Sequence, residues 1–395
     1  MITNEFIAKI EGHGSLKVDW DNNKVKLHVH EGERLFEGIL MGRTAEEAHW
    51  ITPRICGVCP IAHNLASLAA VENALGIKIN ETAKLLRDLM KSGQMIQSHV
   101  LHLFFLALPD YIGLDRGTEL VKKDKKSFAK TLALKEMADE IAYVSAGRNV
   151  HPTTTTIGGF HKIPAKKDLE KLLKKIKETE KDAEWCREFF SGLNYPELKV
   201  DLELLVQKDG KIVSNKGTSV AIEEYKQNLE EELRDYSTAK FGKFQGREIM
   251  VGALARLALK KNKNYKLNFS NPFHNNLAQA VEIFEFTKEA EGIIEKLLKM
   301  EMDATIAKSS ENATLKGIGA VEAPRGGLYH EIHLDQNNFI TYANIITPTV
   351  QNLTSIEKSA QALLEQFKEK SIKEKEKLLN MLVRAYDPCI TCSVH

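Results

Sequence analysis

No stretch of this sequence approaches the roughly 18 uninterrupted apolar residues that a membrane-spanning helix needs, so no direct membrane span is expected. The opening residues, MITNEFIAKIEGHG, lack the basic region, apolar stretch and small-residue cleavage site of a secretory signal, and a cytoplasmic location is expected. Charge of one sign is missing too: 55 Lys and Arg against 54 Asp and Glu leave no global field to draw in nucleic acid or an anionic lipid surface. The lysine runs KKDLEKLLKKIKETEKD and FKEKSIKEKEKLL are interleaved with glutamates and carry leucines at helical spacing, the pattern of solvated faces on amphipathic helices. Repeats, low-complexity tracts and Pro/Gly/Ser-rich linkers are absent, so nothing divides the 395 residues into separable modules.

Within that ordinary globular balance of 43% hydrophobic and 28% charged residues, local patterns predict the elements. Residues 5–30 alternate in the manner of strands, with DNN at 21–23 as a hairpin turn. From about residue 44, apolar spacing of three and four predicts helices in TAEEAHWIT, IAHNLASLAAVENAL and ETAKLLRDLMKSGQMIQSHVLHLFFLAL, then over 125–146, 166–192, 220–236, 246–260 and 275–308. VQKDGKIVSNKG predicts an exposed hairpin around Asp209 and Gly210, 317–349 reads as a second β-rich stretch, and 354–369 and 372–386 read as two further helices. The expected fold is mainly α with small antiparallel β-sheets (α+β), built on a core of long bundled helices. It is expected to be a single interlocked domain over 1–395: an N-terminal β-rich segment (1–43), a helical bundle (44–310), a β-rich segment (311–350), and C-terminal helices with a metal-binding tail (351–395).

Cysteine is scarce, yet four of the five stand in two Cys-x-x-Cys pairs, Cys56/Cys59 in RICGVCPIAH and Cys389/Cys392 in DPCITCSVH. Cys186, in AEWCREFF, reads as a buried thiol. A thiolate binds soft or borderline metals, and two such turns offer four sulfurs. Structural zinc, an iron–sulfur cluster and a redox-active metal centre all suit these ligands, and spacing alone does not choose among them. Zinc knots usually keep their pairs within a few tens of residues because the metal organises a local fold. Here about 330 residues, patterned as a large helical core, lie between the pairs, which favours a functional metal.

The two motifs carry a resemblance. They match, position by position, the Arg-x-Cys-Gly-x-Cys-x-x-x-His and Asp-Pro-Cys-x-x-Cys-x-x-His signatures of the large subunit of nickel-iron hydrogenases. KIEGHG, RLFEGILMGR, SHVLHLFFLALPD, HPTTTTIGG, EAPRGGLYH and TPTVQN are similar to that family's other landmarks in the same order, so the resemblance spans essentially the whole chain. It implies that family's long-helix fold and the reversible heterolytic cleavage of dihydrogen at a Ni-Fe centre whose iron carries carbon monoxide and cyanide.

Residue by residue, the resemblance implies Cys56 and Cys389 as terminal nickel ligands, and Cys59 and Cys392 as bridges to iron. Cys389 would first accept the proton and Glu11 would take it onward. Arg325 would stand over the open metal position, oriented by Asp110 and Asp387, with Pro324 walling the pocket and the Thr349 hydroxyl holding a cyanide. His63, one helical turn after Cys59, is expected to donate a hydrogen bond to a bridging thiolate. Glu37 and His395 resemble the ligands of a nearby Mg2+ or Fe2+ site.

The same resemblance implies nickel-insertion factors and a maturation protease that cuts after the last motif's histidine. A chain finishing CSVH is therefore expected to be the processed form, although a truncated chain would look the same. Once four cysteines are committed only Cys186 is left, so an iron–sulfur small subunit is required to carry electrons away. The stretches around both motifs look most like the cytoplasmic groups linked to NAD(P) or another soluble carrier, which implies further electron-transfer subunits. The chain looks shorter than many such large subunits and matches weakly over 195–245. Rival readings are a non-catalytic scaffold in a redox complex, like the quinone-site subunit of respiratory complex I that has lost these cysteines, and a zinc-stabilised structural protein.

Overall fold

Long amphipathic helices at the middle of the molecule, Glu81–Leu101, Lys125–Ala146, Lys166–Ser191 and Asn275–Lys299, pack against one another. The computed structural model describes residues 1–260, 265–311 and 313–395; the parts of the expected 44–310 and 311–350 segments at 261–264 and 312 lie outside the described residues. Two of these helices start where the sequence supplies a side-chain partner for the orphan amides of the first turn. Asn80 accepts from the Ala83 amide, and Asp124 accepts from those of Lys126 and Ser127. The lysine-rich Lys166–Ser191 helix turns Leu169, Leu172, Ile176, Ala183, Cys186 and Phe190 inward, so Cys186 is a buried thiol, and its outward lysines pair with glutamates such as Glu295. The Glu81–Leu101 helix continues into a π-helical turn, His102–Ala107, before Leu108–Ile112.

Small sheets flank the bundle. Ile2–Phe6, Gly14–Asp19 and Lys24–Val29 form an antiparallel sheet, and so do Lys316–Ala323, Gly326–Leu334 and Ile340–Ile346. The second sheet lies directly on the helix Pro60–Ala74. A Cβ at Gly317 or Gly319 would stand 2.0 Å from the carbonyl of Ala70 or Ala66, so only glycine allows strand and helix to approach so closely. Glu203–Lys208 and Lys211–Ser214 form the expected hairpin, with Asp209 and Gly210 both at positive φ as a tight two-residue turn requires. Among the strands of the described residues one pairing is parallel, Ile249–Met250 against Glu203–Lys208.

Several predicted helices differ. Residues 220–236 contain only the 3-10 turn Ile222–Glu224 and the short helix Tyr225–Asn228, and Leu229–Arg234 is a strand paired with Ser237–Phe244. The charges that mimic a helical surface instead pair across this hairpin, Glu231 with Lys240 at 3.1 Å and Glu232 with Lys243 at 2.7 Å, while Leu229, Ala239 and Phe241 are buried. Within 246–260 only Ala253–Ala258 is helical, because Ile249–Met250 is drawn into a sheet. The helix begun at Asn275 stops at Lys299 rather than 308. Pro348–Gln366 and Ile372–Ala385 complete the helices, the latter opened by a Ser371/Glu374 capping box. No helix among the described residues is long and apolar enough to cross a membrane.

Candidate metal centre

Both cysteine pairs sit where regular structure stops. A 3-10 turn, Thr52–Ile55, leads to Cys56 in extended conformation, and Cys59 caps the helix Pro60–Ala74, whose first position is a proline that needs no amide partner. The next amides, of Ile61 and Ala62, donate to Oε1 of buried Gln94 at 2.6 and 3.3 Å. At the other end, Ile372–Ala385 runs out, Asp387 takes a positive φ, and Cys389 precedes the single turn Ile390–Ser393. Glu11 and Cys389 pair as an isolated parallel bridge, with the Ile390 amide donating to the Glu11 carbonyl at 3.0 Å. Arg34 joins the two loops: its guanidinium donates to the carbonyls of Ile55, at 2.7 Å, and Thr391, and its amide to that of Val394.

The result is that the sulfurs of Cys56, Cys59, Cys389 and Cys392 all lie within 4.8 Å of one another and are buried. Cys56 and Cys389 are 3.3 Å apart, Cys59 and Cys392 3.9 Å. The amides of Val58 and Cys59 donate to Cys56 Sγ, at 3.3 and 3.4 Å. Hydrogen bonds from Cys389, Cys392 and Cys59 hold Cys56 well below the usual thiol range, and the reciprocal contacts from Cys392, Cys56 and Cys59 push Cys389 well above it. Four thiolates cannot share such a volume without a cation to screen them, and four sulfurs are a donor set for a soft or borderline metal. The residues therefore fit the metal centre that their motifs imply.

Around the sulfurs, Cys59, Ala323, Pro324, Arg325, Pro348, Thr349, Cys389 and Cys392 line a small cavity of about 10 Å³. Glu11 Oε2 accepts from Cys389 Sγ at 3.0 Å and from the Thr391 amide at 3.1 Å. The Thr349 hydroxyl accepts from the Cys389 amide at 2.9 Å, which leaves its own proton free to donate. Burial pulls the His63 imidazole down to about 3, so the ring is neutral. Its Nε2 lies 3.1 Å from Cys392 Sγ and its Nδ1 3.1 Å from His330 Nε2. With one proton on His63, donation to Cys392 requires Nδ1 to accept from His330, whose remaining Nδ1 has no partner among the described residues.

Arg325 is buried and bound to Asp387, through Nη2 to Oδ1 at 2.7 Å and Nε to the main-chain carbonyl at 2.6 Å. Its third neighbour is the Ser98 hydroxyl, at 3.4 Å. Asp110, expected beside it, is not: its two oxygens take Lys9 Nζ at 2.7 Å and Arg384 Nη1 at 2.6 Å. Arg384, in the last turn of the helix before the C-terminal motif, reaches Asp110 first, and Gln279 takes the free oxygen of Asp387 at 3.0 Å. Glu37 and His395 meet beside the same tail. Glu37 Oε1 is 4.0 Å from His395 Nε2, and both contact residue 345, the carboxylate its amide and the imidazole its carbonyl, each at 2.8 Å. A carboxylate, a carbonyl and an imidazole suit a harder cation than four sulfurs do.

Arg34, Gln94, Ser98, Gln279, His330 and Arg384 were not singled out as site residues from sequence. Arg34, Ser98 and His330 do fall inside the quoted stretches RLFEGILMGR, SHVLHLFFLALPD and EAPRGGLYH, Arg384 stands three residues before DPCITCSVH, and Gln94 and Gln279 carry no motif.

The pattern of the family described as nickel-dependent hydrogenase matches residues 34–133 and 205–395. The chain is 35% identical to sulfhydrogenase 1 subunit alpha of Pyrococcus furiosus, with 100% of this chain and 97% of that relative aligned. It is 27% identical to the NAD-reducing hydrogenase HoxS subunit beta of Cupriavidus necator, over 98% and 93% of the two chains. Its fold is similar to that of an NAD+-reducing NiFe-hydrogenase in the H2-reduced state, with a TM-score of 0.88 at 22% identity over 100% of this chain and 99% of that one. The Ni-Fe-Se hydrogenase from D. vulgaris Hildenborough gives 0.83, also at 22% identity, with both chains fully covered. With its family pattern covering most of the chain and its cysteine pairs converging on one buried point, the protein belongs to the nickel-dependent hydrogenases, oxidoreductases acting on dihydrogen.

Proposed function

We propose that this chain is the catalytic large subunit of a nickel-iron hydrogenase, cleaving dihydrogen reversibly and heterolytically into protons and electrons. The observation that carries the reading is the 3.0 Å contact between Cys389 Sγ and Glu11 Oε2, on a cavity that Arg325 also lines. When bound, the metal pair supplies a redox-active nickel and a low-spin iron bearing carbon monoxide and cyanide, at which dihydrogen is polarised. In this reading Cys56 and Cys389 would be ligands of nickel, and Cys59 and Cys392 ligands of nickel and iron.

Cys389 accepts the proton at Sγ and passes it to Glu11 Oε2, which the Thr391 amide keeps aimed at the sulfur. Arg325 stays charged, so it can hold an anionic or polarised atom in the cavity without giving up a proton, and Asp387 fixes its planar fork. Thr349, which lines the same cavity, would offer its hydroxyl proton to a cyanide, Pro324 excludes water, and His63 would stabilise the Cys392 thiolate. Glu37, the Ile345 carbonyl and His395 form the Mg2+ or Fe2+ site that anchors the tail. Asp110 supports this arrangement at one remove, through Arg384.

Electrons leave through a separate iron–sulfur small subunit, because Cys186 is buried in a helix away from the other four cysteines. The name of the NAD-reducing HoxS relative and the subunit names of both relatives support further subunits using NAD(P) or another soluble carrier, and a cytoplasmic location belongs to the same reading. Nickel-insertion factors and a maturation protease belong to the same reading, as does one interlocked domain over the whole chain. Infrared spectroscopy with elemental analysis tests it. Sharp carbonyl and cyanide bands with about one nickel per chain are expected from a four-thiolate site; zinc alone, without bands, would replace the reading by the structural-zinc one.

A further inference from the structure

Behind the metal cavity lies buried charge that the proposed chemistry leaves unused. Arg256, on the helix Ala253–Ala258, is 8% exposed, and each of the five N–H donors of its guanidinium has an acceptor. Nε and Nη2 fork onto the two oxygens of Glu282, both at 2.7 Å. Nη1 reaches Glu322 Oε2 at 2.8 Å and the Ala323 carbonyl at 2.9 Å, and Nη2 reaches the Pro324 carbonyl at 2.8 Å. The last two acceptors are the peptide groups immediately before Arg325.

The surroundings hold Arg256 as firmly as it holds that backbone. Burial opposes a charge on Glu282, but Arg256 and a 2.9 Å contact with His99 outweigh it and draw the carboxyl down to about 2. From the other side, Gly252 presses on the same turn: a Cβ there would stand 3.2 Å from the Arg325 carbonyl. A buried ion pair with two carboxylates is a poor way to gain net stability compared with apolar packing of similar volume, so its effect is sought in geometry.

We infer that Arg256 is a positioning residue for Arg325, fixing through the Ala323 and Pro324 carbonyls the main chain from which Arg325 reaches the metal cavity. The inference rests on the proposed role of Arg325 there. Lysine keeps the charge but has three donors for five acceptors, so Arg256→Lys releases the turn without emptying the site.

The test compares wild type, Arg256→Lys, Arg325→Lys and the double variant, each as the metal-loaded complex with its partner subunits. Arg256→Lys is expected to keep wild-type nickel and iron, to shift the infrared bands of the iron-bound ligands, and to lower dihydrogen turnover about tenfold. On the Arg325→Lys background the same change is expected to cost less than about twofold, because a residue acting only through Arg325 has nothing left to act on. Wild-type bands and turnover in Arg256→Lys, or an undiminished tenfold loss on the Arg325→Lys background, would overturn the inference. If Arg256→Lys does not accumulate, Glu282→Gln, which loosens Arg256 and keeps its carbonyl contacts, is judged by the same comparison. A wild-type complex without nickel or diatomic bands would sink the hydrogenase reading itself; normal wild-type bands with unaltered variants would sink only the role of Arg256.

Discussion

The four sulfurs are sealed at 1–4% exposure, whereas Glu37, whose partner His395 lies three residues beyond Cys392, keeps a side chain that is 30% exposed. The first site is all soft donors in a buried cavity, and the second is a carboxylate within reach of water beside a carbonyl and an imidazole that is itself only 4% exposed. Burial explains the division. Thiolates in a low-dielectric interior depend wholly on their metal for charge balance, while a hard cation can keep part of its water shell and needs fewer protein ligands. In the proposed reading the interior site carries the chemistry, and the rim site holds the tail that brings two of the four sulfurs to it.

Removing a donor from each site separates them, and the largest effect is expected in the interior. Cys389→Ser should abolish dihydrogen turnover and leave nickel well below one per chain; a variant that kept both would place the reactive sulfur elsewhere. Glu11→Gln should leave nickel and iron in place and slow hydrogen/deuterium exchange by about a hundredfold or more, the usual weight of a positioned acid–base group. Full exchange activity there would rule out Glu11 as the proton carrier. Arg325→Lys should assemble normally and lose about a hundredfold in turnover, because a compact ammonium cannot copy both the Asp387 fork and the reach into the cavity. At the rim, Glu37→Gln should lower the melting temperature by only a few degrees and leave the infrared bands unmoved, in keeping with a cost of about 1 kcal/mol. Lost bands in that variant would mean that the two sites are one unit.

The helical framework could be read from spacing because it is set by each segment's own periodicity, as in 166–191, where leucines and lysines sort onto opposite faces. The stretch 220–236 misled because glutamates and lysines that look like helical neighbours serve equally well as partners across a hairpin. Proximity of the four cysteines, Glu11, Arg325 and Asp387 was legible through motifs, whose residue types are dictated by chemistry. Which carboxylate meets which arginine was not. Asp110 and Asp387 are equivalent as letters, and only the packing of Ile372–Ala385 brings Arg384 to Asp110 and leaves Arg325 to Asp387. Arg34 and Gln94 were silent for another reason: they serve backbone carbonyls and amides, and any sequence offers those.

The bridge between Glu11 and Cys389 spans 378 positions. A chain made from its N-terminus exposes Cys56 and Cys59 as a two-sulfur turn long before the other pair exists, and closing so long a loop is slow. During that interval the half-site can take whichever divalent ion is most available, since affinity order alone does not favour nickel over copper or zinc. The complete four-sulfur site therefore exists only once the whole chain is made, which in the proposed reading leaves the choice of nickel to the insertion factors rather than to affinity.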